Sequence, residues 1–239
     1  MIDTDPAAAS AADDFGFREA WTEGIEPEIA FWRNWFATKG SEWPEDYESR
    51  LDEQLPLQPY LEPYLPASTG GTVRILDVGS GPLTFLGKQH ASLQVDITAV
   101  DALADAYNRV MAEAGVQPPV PVEACESERL TEKFQPGTFD IAYARNTLDH
   151  SYDPAHAVEQ MIECVRPGGY VILDHYQNEA ETENYTGLHQ WNIEASDDEI
   201  AIWRPGSRID LVARLDGVAT LVDVSPDGGM QRVVLQRNA

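Results

Sequence analysis

The chain of 239 residues carries 41 acidic against 16 basic side chains, a net charge of −25 and an isoelectric point near 4.3. Such a field repels phosphate backbones and anionic bilayers, so neither nucleic acid nor a membrane is an expected partner. No apolar run approaches the roughly 18 residues that span a bilayer, the N-terminus has no basic segment before an apolar one, and Cys125 and Cys164 are too few for a disulfide framework; the composition reads as a soluble, cytoplasmic protein.

Residues 1–14 are rich in Ala, Asp and Ser without periodicity and read as a disordered tail. Residues 15–239 read as a single domain with a helical cap over 15–68 and an α/β core over 69–239. In the cap, Pro27 suits a first helical turn, and Ile29, Trp32 and Phe36 recur at helical spacing. A second helix is predicted from Pro44 and a third through PLQPYLEPYL. Four of the six tryptophans, Trp21, Trp32, Trp35 and Trp43, fall in this cap, where they can pack it onto the core or line a pocket beneath it.

From Val73 short apolar runs alternate with helical segments. VRILDV, DITAVD, VPVEA, FDIAYA and YVILDH read as strands; LTFLGKQHA, LADAYNRVMAEAG, SERLTEKF and DPAHAVEQMIECV read as the helices between them. The alternation predicts a doubly wound, mostly parallel Rossmann-like sheet. GLHQWNIEASDDEIAIWR then predicts an inserted hairpin at about 185–205, RIDLVARL a helix, and VATLVDVSPDGGMQRVVLQR a C-terminal antiparallel hairpin that completes seven strands.

The chemistry-bearing turn is DVGSGP. Gly79 and Gly81 allow a sharp bend and close approach of the backbone to a ligand, but Thr84 stands where a dinucleotide fingerprint would have its third glycine. Asp101 ends the second strand, where an acid reaches ribose hydroxyls in such folds. Taken with Asp77 before the glycines, the VRPGGYVIL turn and the terminal hairpin, this order resembles the class I S-adenosyl-L-methionine-dependent methyltransferases over about Val73 to Arg237. The resemblance implies S-adenosyl-L-methionine as cofactor. It places Asp77, Gly79, Ser80 and Gly81 at the methionyl loop, Asp101 at the ribose, and Ala102 against the adenine. It also places Glu126 and Ser127 at the adenine edge, with Glu123 and Glu128 competing for the acid's role, and Arg145 and Asn146 beside the transferring methyl.

A sulfonium methyl is already activated, so the enzyme's task is to align a nucleophile, exclude water and remove a proton where the nucleophile carries one. His150, just past the fourth strand, and His189, in the insertion, are the candidate catalytic residues, and no metal site is expected. The function implied is methyl transfer to an oxygen or nitrogen of a small-molecule acceptor. The alternatives are a non-catalytic S-adenosyl-L-methionine-binding regulatory protein and an NAD-dependent oxidoreductase. Composition does not fix the oligomeric state.

Overall fold

Val73, Ile75, Leu76 and Val78 form a nearly continuous apolar run, the pattern of a strand covered on both faces. In the computed structural model, which describes residues 6–67 and 70–239, this run is β1 (Thr72–Val78), the third strand of a seven-stranded sheet. The other strands are β2 (Gln94–Asp101), β3 (Val122–Ala124), β4 (Phe139–Arg145), β5 (Val165–Tyr176), β9 (Ala219–Asp227) and β10 (Met230–Arg237), in the order β3-β2-β1-β4-β5-β10-β9. The first five run parallel, and β10 is antiparallel to both its neighbours. Strand order therefore reverses at β1, between β2 and β4, which is where open α/β sheets place their ligand crevice.

Register does the rest. Val78 stands opposite both Val100 of β2 and Ala144 of β4, so Gly79, Asp101 and Arg145 come together at one carboxyl edge of the sheet.

Two apolar layers cover the sheet. On one face α5 (Pro154–Cys164) packs Val158, Met161 and Ile162 against Leu76, Ala142 and Leu173. On the other, Leu57, Leu61, Leu86 and Leu93 meet Ile75, Ile141, Tyr143 and Ile172. A third cluster joins α1 (Pro6–Ala37), through Trp35 and Phe36, to α3 (Ala104–Ala114), through Val110 and Met111. Among the described residues no helix is long and apolar enough to cross a membrane.

Several local expectations are corrected. Residues 6–14, expected to be disordered, belong to α1; alanine's high helix propensity carries the run without an amphipathic pattern. Residues 1–5 of the expected tail lie outside the described residues. Pro27 is inside α1, not in its first turn. α2 (Pro44–Leu51) is as expected, whereas the third cap helix shrinks to a 3₁₀ turn, Pro59–Tyr64, interrupted by Pro63.

LTFLGKQHA forms no helix. The amides of Lys88 and Gln89 donate to Leu55 O, Gln89 O accepts from the amide of Leu57, and the Gln58 side chain bonds Phe85 O and the Gly87 amide. Backbone groups that a helix would pair internally are taken by the 55–58 segment. SERLTEKF folds as a 3₁₀ turn, Ser127–Arg129, followed by the short α4 (Leu130–Lys133).

The insertion is larger than the predicted hairpin. After the short α6 (Glu179–Thr182) come β6 (Asn192–Ala195), β7 (Ile200–Arg204) and β8 (Ser207–Asp210), an antiparallel three-stranded sheet. Only Leu211–Arg214 of the expected RIDLVARL helix is helical, as α7. Ile209 on β8 is pulled into the strand pairing opposite Ile202 and packs against the core, a tertiary gain that overrides local helix preference.

Candidate active site

Gly79 and Gly81 both adopt φ +64, a left-handed conformation costly for any residue with a side chain. A Cβ on Gly79 would meet Thr147 Oγ1 at 2.0 Å, and one on Gly81 would meet Trp32 Cζ2 at 3.0 Å. The loop is thus pressed between the exit of β4 and α1. The amides of Gly79 and Ser80 donate to Val100 O at 2.8 and 3.1 Å, tying it to the end of β2.

Above it opens a cavity of about 800 Å³, within the ordinary range for small-molecule sites. Its floor is the 79–81 loop and the ends of β2 and β4; Trp21, Trp32 and Trp35 of α1 and Arg50 of α2 form its roof. Trp32 is held by a hydrogen bond from its indole N–H to Glu28 Oε1 at 2.7 Å. The cap tryptophans therefore divide their work: Trp35, 2% exposed, belongs to the α1–α3 core and also reaches the cavity, whereas Trp43 stands 55% exposed at the rim.

Asp101 links the two halves of the floor. Its Oδ2 accepts from the Gly81 amide at 3.0 Å and its Oδ1 from the Leu103 amide at 2.8 Å. Asp77, beneath the loop, accepts from the Thr84 hydroxyl. Burial pushes both carboxyls up to about 6, against the hydrogen bonds that favour their charged forms.

A carboxyl raised on folding contributes stability that is complete below its unfolded value, near 3.8, and is lost as pH rises through about 6. Asp77→Asn keeps an acceptor for Thr84 and removes the buried charge. It is expected to raise the unfolding free energy of the cofactor-free chain by about 2 kcal/mol at pH 8 and to change it little at pH 4. Urea titrations at the two pH values check this; equal shifts at both would contradict it.

Of the residues expected around the cofactor, Asp77, Gly79, Ser80, Gly81, Asp101, Ala102, Ser127, Arg145 and Asn146 line this cavity. Glu126 stands apart from them. Its carboxylate pairs with Arg18 of α1 at 2.9 Å and accepts from the Tyr152 hydroxyl, so it fastens the cap to the core. Glu128, its competitor, does line the cavity, but it is occupied by the amides of Tyr152 and Asp153 and the Ser127 hydroxyl.

Asn146 holds a left-handed conformation, φ +46, and its side-chain oxygen is buried without a hydrogen-bond partner. Arg145 lies 4.0 Å over the Phe85 ring and 3.5 Å from Asp174.

His150 and His189 come together at the same cavity, although 39 positions separate them. His189 Nδ1 is 2.7 Å from Asp149 Oδ2, and His150 Nε2 is 3.1 Å from His189 Nδ1. Burial works against charge at Asp149, yet the neighbouring imidazoles hold it below the ordinary carboxylate range; burial likewise opposes charge on His189, but Asp149 raises it. Asp153 plays no part here, because it caps α5 by accepting from the His156 amide. His175 is buried behind the cluster, and burial pushes its imidazole down to about 4.

A family profile described as "Methyltransferase domain" matches residues 43–213. The chain belongs to that family. The match takes in the glycine loop, the exits of β2 and β4 and most of the insertion, and leaves α1 and the C-terminal hairpin outside.

Two curated relatives are the ubiquinone biosynthesis O-methyltransferases of Paraburkholderia phymatum, 33% identical over 106 residues, and Burkholderia ambifaria, 33% identical over 103 residues. Each match spans 42% of this chain and 43% of the relative, so the chain is aligned to under half the length of these proteins. Among solved structures, a Methanococcus maripaludis protein assigned as an S-adenosyl-L-methionine-dependent methyltransferase superposes over 86% of this chain and 91% of its own, with TM-score 0.51 and 12% identity. That likeness supports the methyltransferase fold and nothing finer.

The sequence reading missed Glu28, Arg50, Phe85 and Glu179, all of which line the cavity. Arg50 had a local signal, a lone basic residue in the acidic WPEDYESRL segment. Glu28 and Glu179 had none, since their helices carry many acids and only folding selects which one faces inward.

Proposed function

We propose that this chain transfers the methyl group of S-adenosyl-L-methionine to an oxygen or nitrogen of a small-molecule acceptor. The observation that carries the reading is one cavity whose wall joins the glycine loop and Asp101 to His150 and His189, with the buried Asp149 beside the two histidines, the first two suited to a nucleoside and the histidines to an acceptor's proton. The relatives' name, O-methyltransferase, makes oxygen the first atom to test. A net charge of −25 favours a small acceptor over nucleic acid.

In this reading Asp101 receives the ribose hydroxyls and Ala102 and Leu103 lie against the adenine. The unpartnered Asn146 oxygen is suited to the cofactor's ammonium, and Arg50, whose charge acts favourably on Asp77 from the roof, to its carboxylate. The rings of the tryptophan roof give the cavity an apolar wall that favours an organic acceptor over water in line with the methyl carbon. The nucleophile's lone pair forms the new bond as the carbon–sulfur bond breaks, and the pair in that bond stays on sulfur, giving the neutral thioether. An acceptor hydroxyl must lose its proton, and the cluster of Asp149, His150 and His189 is suited to assist that loss.

Isothermal titration with S-adenosyl-L-methionine and its demethylated product tests the cofactor, and labelled cofactor added to a small-molecule extract tests transfer. Failure of a folded chain to bind either compound would end the reading. Binding without transfer to any acceptor would favour a regulatory cofactor-binding protein. His150→Ala is expected to leave cofactor Kd within about twofold and to lower kcat by roughly 10²; an unchanged kcat would remove His150 from the chemistry.

A further inference from the structure

At the acceptor end of the cavity three ligand atoms form a small triangle. Asp149 Oδ2 lies 2.7 Å from His189 Nδ1 and 3.4 Å from His150 Nε2, and the two ring nitrogens are 3.1 Å apart. Protons join these atoms only in pairs, and the pair on the shortest edge, His189 Nδ1 with Asp149 Oδ2, leaves the other two edges at 3.1 and 3.4 Å.

A cation turns all three into bonds. Donors about 2.1 Å from one ion, at angles of about 80° to 110° to each other, stand roughly 2.7 to 3.4 Å apart, the span covered by the observed 2.7, 3.1 and 3.4 Å. Two imidazoles and one carboxylate on a shared face are the donor set of open divalent-metal sites.

The surroundings hold the triangle and leave it short of partners. The Gln190 amide donates to Asp149 O at 2.9 Å, which fixes the insertion beside the 3₁₀ turn Leu148–His150. Asp149 is 2% exposed, and its second oxygen has no hydrogen-bond partner; the buried His175 ring beside it likewise has none on either nitrogen. His150 and His189 face the cavity, so coordination positions not taken by the protein would point to where an acceptor would lie.

We infer that Asp149, His150 and His189 bind one divalent first-row transition-metal ion, at which the acceptor's oxygen would be held. The mixed nitrogen and oxygen set suits zinc, manganese, iron(II) or cobalt(II) better than magnesium or calcium, which prefer shells of oxygen. The inference rests on the methyl-transfer reading for the ion's role: an acceptor hydroxyl held there would release its proton to solvent near neutral pH, leaving an oxygen lone pair to attack the methyl carbon.

The test uses the full chain, free of affinity tags and stripped with EDTA, titrated with Co²⁺ alone and followed by calorimetry and visible absorption. One Co²⁺ per chain is expected, with ligand-field bands distinct from those of the hydrated ion. His189→Ala and Asp149→Asn, each checked for fold by circular dichroism, are expected to weaken binding at least tenfold. His189 is partly exposed, so its variant guards against a folding artefact at Asp149. Absence of stoichiometric Co²⁺ in the folded wild type, or equal affinity in His189→Ala, would overturn the inference. Cofactor titrations on the same samples separate the readings: bound cofactor without Co²⁺ sinks only the metal site, and bound Co²⁺ without cofactor sinks only the methyl-transfer reading.

Discussion

Asp101→Ala is expected to weaken S-adenosyl-L-methionine binding by about 1 to 3 kcal/mol, between roughly fivefold and 150-fold in Kd. The carboxylate has two tasks at once. It accepts from the Gly81 and Leu103 amides, which sets the glycine loop against the end of β2, and its remaining lone pairs face the cavity where ribose hydroxyls would donate. Alanine removes both. Asp101→Asn separates charge from shape and is expected to bind no better than alanine. Both carboxylate oxygens accept from backbone N–H groups, so an amide must turn its own NH₂ toward one of them.

The loss is expected in affinity and not in fold. Burial raises Asp101 to about 6, so ionisation at neutral pH costs the folded chain free energy that substitution returns. Calorimetric titration of wild type and both variants, with urea unfolding on the same samples, checks this. Asparagine binding as tightly as aspartate would show that the ribose is held elsewhere.

Gly79→Ala carries the second large effect. The new methyl group has a strained φ of +64 and would overlap Thr147 Oγ1 at 2.0 Å and Thr147 Cβ at 2.7 Å, so the loop or the exit of β4 must move. A cost of about 2 to 4 kcal/mol in stability is expected, with cofactor affinity lowered more than tenfold. Gly115→Ala is the control. Its φ is +69 but a Cβ there meets nothing within 4 Å, so only the conformational cost of about 1 kcal/mol is expected, with cofactor binding unchanged. Equal losses at both sites would mean that strain, and not the contact with Thr147, governs the loop.

Much of the site was legible because its signals are local. Two glycines, an acid before them and an acid ending the next apolar run all lie within 25 residues, and parallel register then carries Gly79 and Asp101 to one edge without help from the rest of the chain. The glutamates behaved differently. In CESERL the sequence offers two acids two positions apart, and which faces the cavity depends on Arg18 and Tyr152, residues from other elements that take Glu126 away. LTFLGKQHA misled for a similar reason, since its backbone partners come from residues 55–58.

The alternation of strands and helices, the glycine turn and the acid that ends β2 were readable from the amino-acid order, since each depends on backbone preference and burial pattern within a few residues. The roof and the histidine end of the cavity come from tertiary packing. α1 lies across the loop because Trp32, Trp35 and Phe36 find an apolar surface on α3 and Leu83. His189 reaches Asp149 and His150 because the insertion buries Trp191 and Ile193 against the sheet's lower core, which delivers the preceding turn to the cavity. Contacts across some 40 residues of chain leave no periodic or spacing signal, because the burial that enforces them acts on neighbouring residues and not on the histidine itself.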